Sequence, residues 1–213
     1  MKVKEIFFSI QGESSSMGLP TIFVRFSGCN LRCRYCDTRY SYDGGEELEP
    51  QAIYRRLQAW PCRRICLTGG EPLLQEKTAL KELLALLKGY ELSIETNGSL
   101  PLDGVLLGPE HRWVVDIKCP GSGMENANYW DNLKVLRPQD EVKFVLMDEE
   151  DYLWAREVIR RERLEGRVRL LLAPAYGVLK PRELAEWILR DGVEARLQLQ
   201  LHKLIFGADA RGV

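Results

Sequence analysis

Three cysteines, Cys29, Cys33 and Cys36, lie within eight residues of one another in the spacing C-x3-C-x2-C. Three thiolates on such a loop can hold three corners of a four-iron cube and leave the fourth iron open, whereas a fourth cysteine would close it. Zinc is the main alternative, but structural zinc takes four ligands, and the fourth would have to come from a distant Cys or His. The cysteine loop (residues 28–38) therefore predicts a 4Fe–4S cluster that serves redox chemistry on a small molecule.

Four arginines flank the cysteine loop, where each can offset the negative charge of a thiolate-bound cluster: Arg25, Arg32, Arg34 and Arg39. Arg25 differs from the others because it lies inside an apolar run, at 22–26. If buried, it needs an acidic partner. That partner is a protein carboxylate, the cluster, or a substrate carboxylate bound by both guanidinium prongs.

Three further polar segments each end a predicted strand: Leu67-Thr68-Gly69-Gly70-Glu71-Pro72, Glu95-Thr96-Asn97-Gly98 and Asp116-Ile117-Lys118. The glycine pair permits close approach of the backbone to a ligand, although such pairs usually only form turns. Glu95 can accept hydrogen bonds from ribose hydroxyls, or be solvated beside an Asn-Gly turn. Asp116 and Lys118 face a ligand or form a surface ion pair. Because ligands bind beyond the carboxyl ends of parallel strands, we expect these segments to share one site with the cysteine loop.

The elements that must position these segments alternate along the chain. Apolar, β-branched runs predict strands at 21–26, 64–68, 91–95, 113–118, 141–146 and 168–173. Helical periodicity predicts helices at 50–60, 76–88, 128–135, 149–162 and 181–190, and an alternating run at 196–201 predicts one more strand. This is the pattern of βαβ units. About six mostly parallel strands are too few for a closed barrel, so we expect an α/β fold with a partial (β/α) barrel.

Composition limits the possible class of protein. The 213 residues carry a net charge of −1 and are 45% hydrophobic, which predicts a single domain (1–213) with an N-terminal extension (1–20), a core (21–194) and a C-terminal strand and tail (195–213). The near-zero charge does not favour a nucleic-acid partner. The lack of an apolar run of about 20 residues argues against a membrane partner. We expect a cytoplasmic protein whose six cysteines are reduced.

The cysteine spacing, with Tyr35 before the last cysteine, resembles that of the radical S-adenosylmethionine (SAM) superfamily. Longer segments narrow the resemblance to the 7-carboxy-7-deazaguanine synthase family. They lie at 9–13, 23–33, 36–38, 67–75, 95–98, 116–120, 200–203 and 211–213, so the resemblance runs nearly end to end. It implies a single domain of the radical SAM type.

The resemblance implies a reaction as well as a fold. An electron from the reduced cluster would cleave SAM to a 5′-deoxyadenosyl radical, which takes a hydrogen from the substrate; no side chain is implied with certainty as a catalyst. The substrate would be 6-carboxy-5,6,7,8-tetrahydropterin, which contracts to 7-carboxy-7-deazaguanine with loss of ammonia, on the route to queuosine and related 7-deazapurines. The implied partner is a flavodoxin- or ferredoxin-type electron donor. A homodimer is expected on other grounds, because homodimers are the commonest assembly and the alternating run at 196–201 can cover a sheet edge or pair across a dimer. The nearest alternative is a protein that activates glycyl-radical enzymes.

Site residues follow from the same resemblance. The cluster would be held by Cys29, Cys33 and Cys36. SAM would be bound by Tyr35, Cys36, Asp37, Gly70, Glu95, Asp116, Ile117 and Lys118. The substrate would be bound by Ile10, Gln11, Gly12, Arg25, Thr68 and the terminal carboxylate of Val213. The Thr38 hydroxyl would bind a Mg²⁺ ion shared with the substrate. Ala173 departs from the pattern, because some members carry a polar residue there that helps to hold SAM.

Overall fold

The computed structural model describes residues 1–102 and 108–213. Within these ranges the strands are β1 (Lys2–Ile10), β2 (Pro20–Phe26), β3 (Glu46–Glu47), β4 (Arg64–Gly69), β5 (Glu91–Thr96), β6 (His111–Ile117), β7 (Glu141–Leu146), β8 (Arg169–Pro174) and β9 (Arg196–Leu197). The α-helices are α1 (Pro50–Leu57), α2 (Lys77–Leu86), α3 (Glu149–Arg161), α4 (Pro181–Asp191) and α5 (Leu201–Phe206). No helix in these ranges is both long enough and apolar enough to cross a bilayer.

The strands form one open sheet in the order β3-β1-β2-β4-β5-β6-β7-β8-β9. From β2 onward neighbouring strands are parallel, and β1 and β3 extend the first edge in antiparallel fashion. The six long parallel strands are the six expected from the sequence. Because β3 and β9 stand at opposite ends of the order, the sheet does not close, and the expected partial barrel is confirmed.

Helix boundaries follow from local chemistry. Helix α1 begins at Pro50, whose fixed φ angle suits the first turn. The carboxylates of Glu76 and Asp148 accept hydrogen bonds from free backbone N–H groups at the starts of α2 and α3. Helix α4 ends at Gly192, which adopts the left-handed conformation with φ 61°. These helices cover one face of the sheet and bury its apolar side chains.

The two faces of the parallel strands differ in polarity because side chains alternate along a strand. One face packs into the hydrophobic core through Val24, Leu67, Ile94, Val115, Phe144 and Leu172. The other face carries polar side chains at alternating positions: Arg25, Thr68, Glu95, Asp116 and Lys143. Asp116 and Lys143 are direct register neighbours on adjacent strands. The open side of the barrel is therefore lined by charge.

Two predicted elements differ from the structure. The strand predicted at 196–201 is present but shorter: it pairs with β8 only through Arg196 and Leu197, and α5 begins at Leu201, whose backbone N–H donates to the carbonyl of Gly12. The helix predicted at 128–135 is a 3-10 segment, Trp130–Val135. The preceding Asn128 side chain bonds both the N–H and the C=O of Lys118. Such side-chain bonds to distant backbone compete with regular helix.

The segment 1–20, expected only as an extension, forms the nine-residue strand β1. After β1 the chain makes a loop, residues 11–19, that we call the floor loop. Its Ser15 donates from backbone and side chain to the buried carboxylate of Glu141, at the first residue of β7. The same carboxylate accepts a hydrogen bond from Arg112, near the start of β6, at 2.9 Å. The floor loop thus closes the base of the open barrel.

Candidate active site

A cavity of about 570 Å³ opens at the carboxyl ends of the parallel strands. It collects nearly every residue that the sequence predicts for the site: Ile10, Gln11, Gly12, Arg25, Cys29, Cys33, Tyr35, Cys36, Asp37, Thr38, Thr68, Gly70, Glu95, Asp116, Lys118 and Val213. Ile117 is the exception. Its side chain is fully buried in the core on the opposite face of the sheet, which leaves only its backbone available for a ligand.

The cysteine loop is anchored by backbone contacts to the segment after β4. Gly28 has φ 94°, in the left-handed region, and its carbonyl accepts a hydrogen bond from the N–H of Glu71 at 2.8 Å. A Cβ atom at Gly70 would lie 1.8 Å from the same carbonyl oxygen. Gly70 is therefore required for this close approach of two backbones, in addition to any contact with a ligand.

Glu71 joins the ends of two strands. Its fully buried carboxylate accepts hydrogen bonds from the N–H of Leu73 at 3.0 Å, the hydroxyl of Thr96 at 2.8 Å and the N–H of Asn97 at 2.6 Å. Burial raises the pKa of Glu71, although these hydrogen bonds oppose the shift. Glu71 is thus a structural brace between the end of β4 and the end of β5, a role that the sequence did not reveal.

The donor set of the cysteine loop fits a cluster on three thiolates. All three cysteines line the cavity, and the N–H of Leu31 and the amide of Asn97 point at the Cys29 sulfur at 3.4 and 3.7 Å. Such donors stabilise sulfur ligands. Across residues 1–102 and 108–213, no three His, Cys, Asp or Glu side chains converge to hold a single metal ion. The arrangement thus differs from the compact four-ligand set of structural zinc.

Asp116, Lys118 and Tyr35 form the wall beside the cysteine loop. The Lys118 ammonium lies 3.0 Å from Asp116. Burial disfavours its charged form, but Asp116 and Cys33 outweigh burial and raise the pKa of Lys118. Asp116 Oδ1 and the Tyr35 hydroxyl are both buried without a hydrogen-bond partner in the described chain. Buried polar atoms are rarely left unpaired, so these two atoms mark a place that a polar ligand can occupy.

Arg25, Thr68 and Glu95 line the opposite wall. Arg25 Nε donates to Glu5 at 2.7 Å, so a protein carboxylate partner expected as one alternative is present. This bond uses Nε, and among the described residues the terminal nitrogens of Arg25 donate no hydrogen bond. Glu95 accepts hydrogen bonds from the Thr68 hydroxyl at 2.9 Å and from the Gln11 amide at 3.3 Å.

Helix α5 ties the C-terminal segment to the cysteine loop. Lys203 forms an ion pair with Asp37 at 2.5 Å, and Gln200 donates to the same carboxylate at 2.9 Å. Thr38 stands next in the loop, with its hydroxyl 3.7 Å from the Cys36 sulfur. Ala173, the position at which the sequence departs from the pattern, lies in the cavity wall and offers only backbone polar atoms.

Sequence reasoning assigned no role to several residues that complete the site, chiefly Glu5, Glu13 and Lys143. Glu13 belongs to a segment that the resemblance includes. Lys143 lies between the apolar residues Val142 and Phe144 of β7, a signal similar to the one that singled out Arg25. Glu5 offers no comparable local signal, because its link to Arg25 depends on the pairing of β1 with β2.

Comparison with known proteins places the chain in a family. The model of the radical SAM superfamily matches residues 23–108. Proteins named 7-carboxy-7-deazaguanine synthase match along the full length. The one from Koribacter versatilis is 40% identical over 100% of both chains. The one from Chlorobaculum tepidum is 43% identical over 100% of this chain and 97% of its own.

Solved structures agree in fold. The crystal structure of QueE from Escherichia coli superimposes with a TM-score of 0.76, at 22% identity and 94% coverage of each chain. Native anSMEcpe with bound AdoMet gives a TM-score of 0.53 at 16% identity and covers 85% of this chain and 65% of that one. Full-length agreement with the synthases does not favour the alternative of a glycyl-radical-enzyme activator. The chain belongs to the 7-carboxy-7-deazaguanine synthase family of the radical SAM superfamily, whose enzymes use a 4Fe–4S cluster and SAM.

Proposed function

We propose that the cavity binds SAM and 6-carboxy-5,6,7,8-tetrahydropterin in two adjoining halves. The chain is a radical SAM enzyme that converts this pterin to 7-carboxy-7-deazaguanine by ring contraction with loss of ammonia, a step in the biosynthesis of queuosine and other 7-deazapurines. When bound, the cluster supplies the electron that cleaves SAM. The observation that carries the proposal is that the three cysteines line the same cavity as Arg25, whose hydrogen bond to Glu5 uses only Nε.

The SAM half is the wall of the cysteine loop. We assign the cluster to Cys29, Cys33 and Cys36. We assign SAM to Tyr35, Cys36, Asp37, Gly70, Glu95, Asp116, Lys118 and the backbone of Ile117. The unpaired Asp116 oxygen and Tyr35 hydroxyl support this, because a polar ligand would satisfy both. The Lys118 ammonium offsets negative charge on the same wall.

The substrate half is the wall of β2 and the floor loop. The terminal nitrogens of Arg25 would bind the substrate carboxylate as a fork, because Glu5 already occupies Nε and orients the guanidinium. Gln11 and Thr68 present polar groups for the pterin edge, and both donate to Glu95, which we assign to the adjoining SAM half. The remaining contacts are assigned to Ile10, Gly12 and the terminal carboxylate of Val213.

A Mg²⁺ ion bound by the Thr38 hydroxyl and the substrate completes the proposed site. Thr38 lines the cavity, and the absence of a protein cage around it suits Mg²⁺, which keeps much of its water and takes few protein ligands. The neighbouring Asp37 is engaged by Lys203 and Gln200, so the remaining metal ligands would be substrate oxygens and water.

The electron donor would be a flavodoxin- or ferredoxin-type protein that meets the outer side of the cysteine loop. Arg32, Arg34 and Arg39 are exposed on this loop, Arg34 also lines the cavity, and none of the three forms an ion pair in the described ranges. Backbone carbonyls of the loop hold the Arg32 and Arg39 guanidiniums at 2.7 Å. Three positive charges, two of them held in place by these hydrogen bonds, would complement an acidic donor.

A homodimer would cover exposed apolar side chains of α5. Leu204, Ile205 and Phe206 are exposed, and Phe206 shares a small apolar hollow with the half-exposed Phe8 of β1. Homodimers are also the commonest assembly. The continuous sheet from β3 to β9 supports one domain over residues 1–213, and we place the enzyme in the cytoplasm.

The test is an anaerobic assay of reconstituted protein with SAM, Mg²⁺, a reductant and 6-carboxytetrahydropterin, in which 5′-deoxyadenosine and 7-carboxy-7-deazaguanine are quantified by mass. Formation of both products supports the proposal. If 5′-deoxyadenosine forms without the deazaguanine, the SAM half stands and the substrate assignment falls. If neither forms on a fully loaded cluster, the assignment of both halves is wrong.

A further inference from the structure

Lys143 stands at the centre of a buried row of alternating charges. Its ammonium lies 2.9 Å from the Glu13 carboxylate and 3.7 Å from the Asp116 carboxylate. Asp116 continues the row to Lys118 at 3.0 Å, and Glu13 also accepts a hydrogen bond from Gln200 at 2.9 Å. The Lys143 side chain is 12% exposed and lines the cavity.

Three separate elements meet at this ammonium. Lys143 and Asp116 are register neighbours on β7 and β6, so their side chains project from the same face of the sheet. Glu13 arrives from the floor loop, which Ser15 fixes to Glu141 at the base of the same strand β7. Lys143 therefore contacts one residue of the proposed SAM half and one residue next to Gln11 and Gly12 of the proposed substrate half.

The charges in the row support one another. Burial disfavours the ammonium, but Glu13 and Asp116 outweigh burial and raise the pKa of Lys143 above its ordinary value. Burial likewise opposes ionisation of Glu13, yet Lys143 and Gln200 hold the pKa of Glu13 below its ordinary value. Both groups are therefore charged at neutral pH. Without Lys143, Glu13 would be a buried carboxylate with no cation beside it in the described residues.

We propose that Lys143 is a positioning residue shared by both halves of the cavity, because its single ammonium contacts the carboxylates of Glu13 and Asp116 and fixes their positions relative to each other. This inference rests on the proposed function for the identity of the two halves. Lys143 would hold SAM and substrate in register through these two carboxylates. If the two ligands are slightly misaligned, the SAM-derived carbon lies too far from the substrate hydrogen that it must remove. Such misplacement strongly reduces productive reaction.

The test uses the cluster-loaded K143M variant, which removes the charge and keeps a long side chain. Dissociation constants for SAM and for 6-carboxytetrahydropterin are measured separately, and the molar ratio of deazaguanine to 5′-deoxyadenosine is measured in turnover. In metal sites, loss of a partner that orients a ligand costs about 10- to 100-fold, and we take the lower end as the scale for Lys143. We expect both dissociation constants to rise on the order of 10-fold, and the product ratio to fall because SAM cleavage becomes uncoupled. The matched control is K134M, which removes an exposed lysine paired with Asp131.

The outcomes separate the inference from the proposed function. If K143M weakens one ligand only, or lowers both products in equal proportion at unchanged affinities, Lys143 is not shared and the inference is wrong. If wild-type protein with full iron content binds no SAM, the proposed function fails instead. Iron content and thermal unfolding show whether K143M folds. If it does not, the polar K143Q variant takes its place, with the same paired losses expected, and unchanged affinities in K143Q would overturn the inference.

Discussion

One oxygen of the Glu5 carboxylate accepts hydrogen bonds from Arg25 Nε and from the Tyr40 hydroxyl, each at 2.7 Å. The guanidinium carbon of Arg25 also lies 5.7 Å from the centre of the Phe7 ring. The guanidinium is thus fixed from two sides, and among the described residues its terminal nitrogens donate no hydrogen bond. An arginine held in this way loses little side-chain entropy when it binds a carboxylate.

Replacing Arg25 by Ala should weaken the substrate far more than SAM. A hydrogen bond to a charged group is worth about 1.5–3 kcal/mol, so the KM for the pterin should rise about 10- to 100-fold while the dissociation constant of SAM stays within about twofold. Steady-state kinetics and SAM binding measure the two effects. R56A, at an exposed arginine paired with Glu46, is the matched control. Equal weakening of both ligands would assign Arg25 to the cluster or the scaffold.

Replacing Cys33 by Ala should abolish cluster binding and turnover. Two thiolates cannot hold three corners of the cube. Iron per chain and visible absorbance are measured after anaerobic reconstitution, with about four irons expected per wild-type chain. C62A is the control, because Cys62 lies outside the cavity lining and its sulfur bonds only backbone groups of Pro20 and Arg64 in the described residues. A full cluster and full activity in C33A would refute the assignment of the cysteine loop.

Replacing Glu141 by Gln should destabilise the floor loop. The change removes a buried negative charge that holds Arg112 and Ser15, and breaking a buried pair costs about 3 kcal/mol. For a chain of this size that corresponds to a fall in Tm of about 6–12 °C. Amide exchange at Ser15 should accelerate as well. E91Q, at an exposed carboxylate paired with Arg64, should change neither quantity; equal Tm values for E141Q and wild type would contradict the role of Glu141.

His202 should make the protein less stable in weak acid. Burial lowers the pKa of His202, against the attraction of Glu13 and Asp37. As the pH falls, His202 therefore binds a proton in the unfolded chain before it does so in the folded protein. Stability is lost from about pH 6.5 downward, and the loss ends once the pH is below the lower pKa of the folded state. Thermal unfolding at about pH 7.5 and 5.5 should show a smaller fall in Tm for H202Q than for wild type. His111 is present in both proteins, so its titration cancels. An identical fall in Tm would remove His202 as a cause.

The sequence by itself determined the chemistry of the site and the repeating elements around it. The spacing of the cysteines is a local pattern, and so is the position of each polar segment after an apolar run. Six parallel strands, an open barrel and a common edge for Cys29, Thr68, Glu95 and Asp116 all follow from such patterns, because parallel strands place their carboxyl ends together.

The tertiary structure decided which side chains meet. Lys143 and Glu13 are 130 residues apart along the chain, and Arg25 meets Glu5 only through the register of β1 on β2. The strand predicted at 196–201 ends at Leu197, and Leu201 instead bonds the distant Gly12 where α5 begins. The predicted helix at 128–135 likewise did not form, and the Asn128 side chain bonds the backbone of the distant Lys118. Hydrophobic periodicity reports only neighbours within a few residues. Strand register and side-chain bonds to remote backbone bring distant residues together. These partners are therefore determined only by the folded structure.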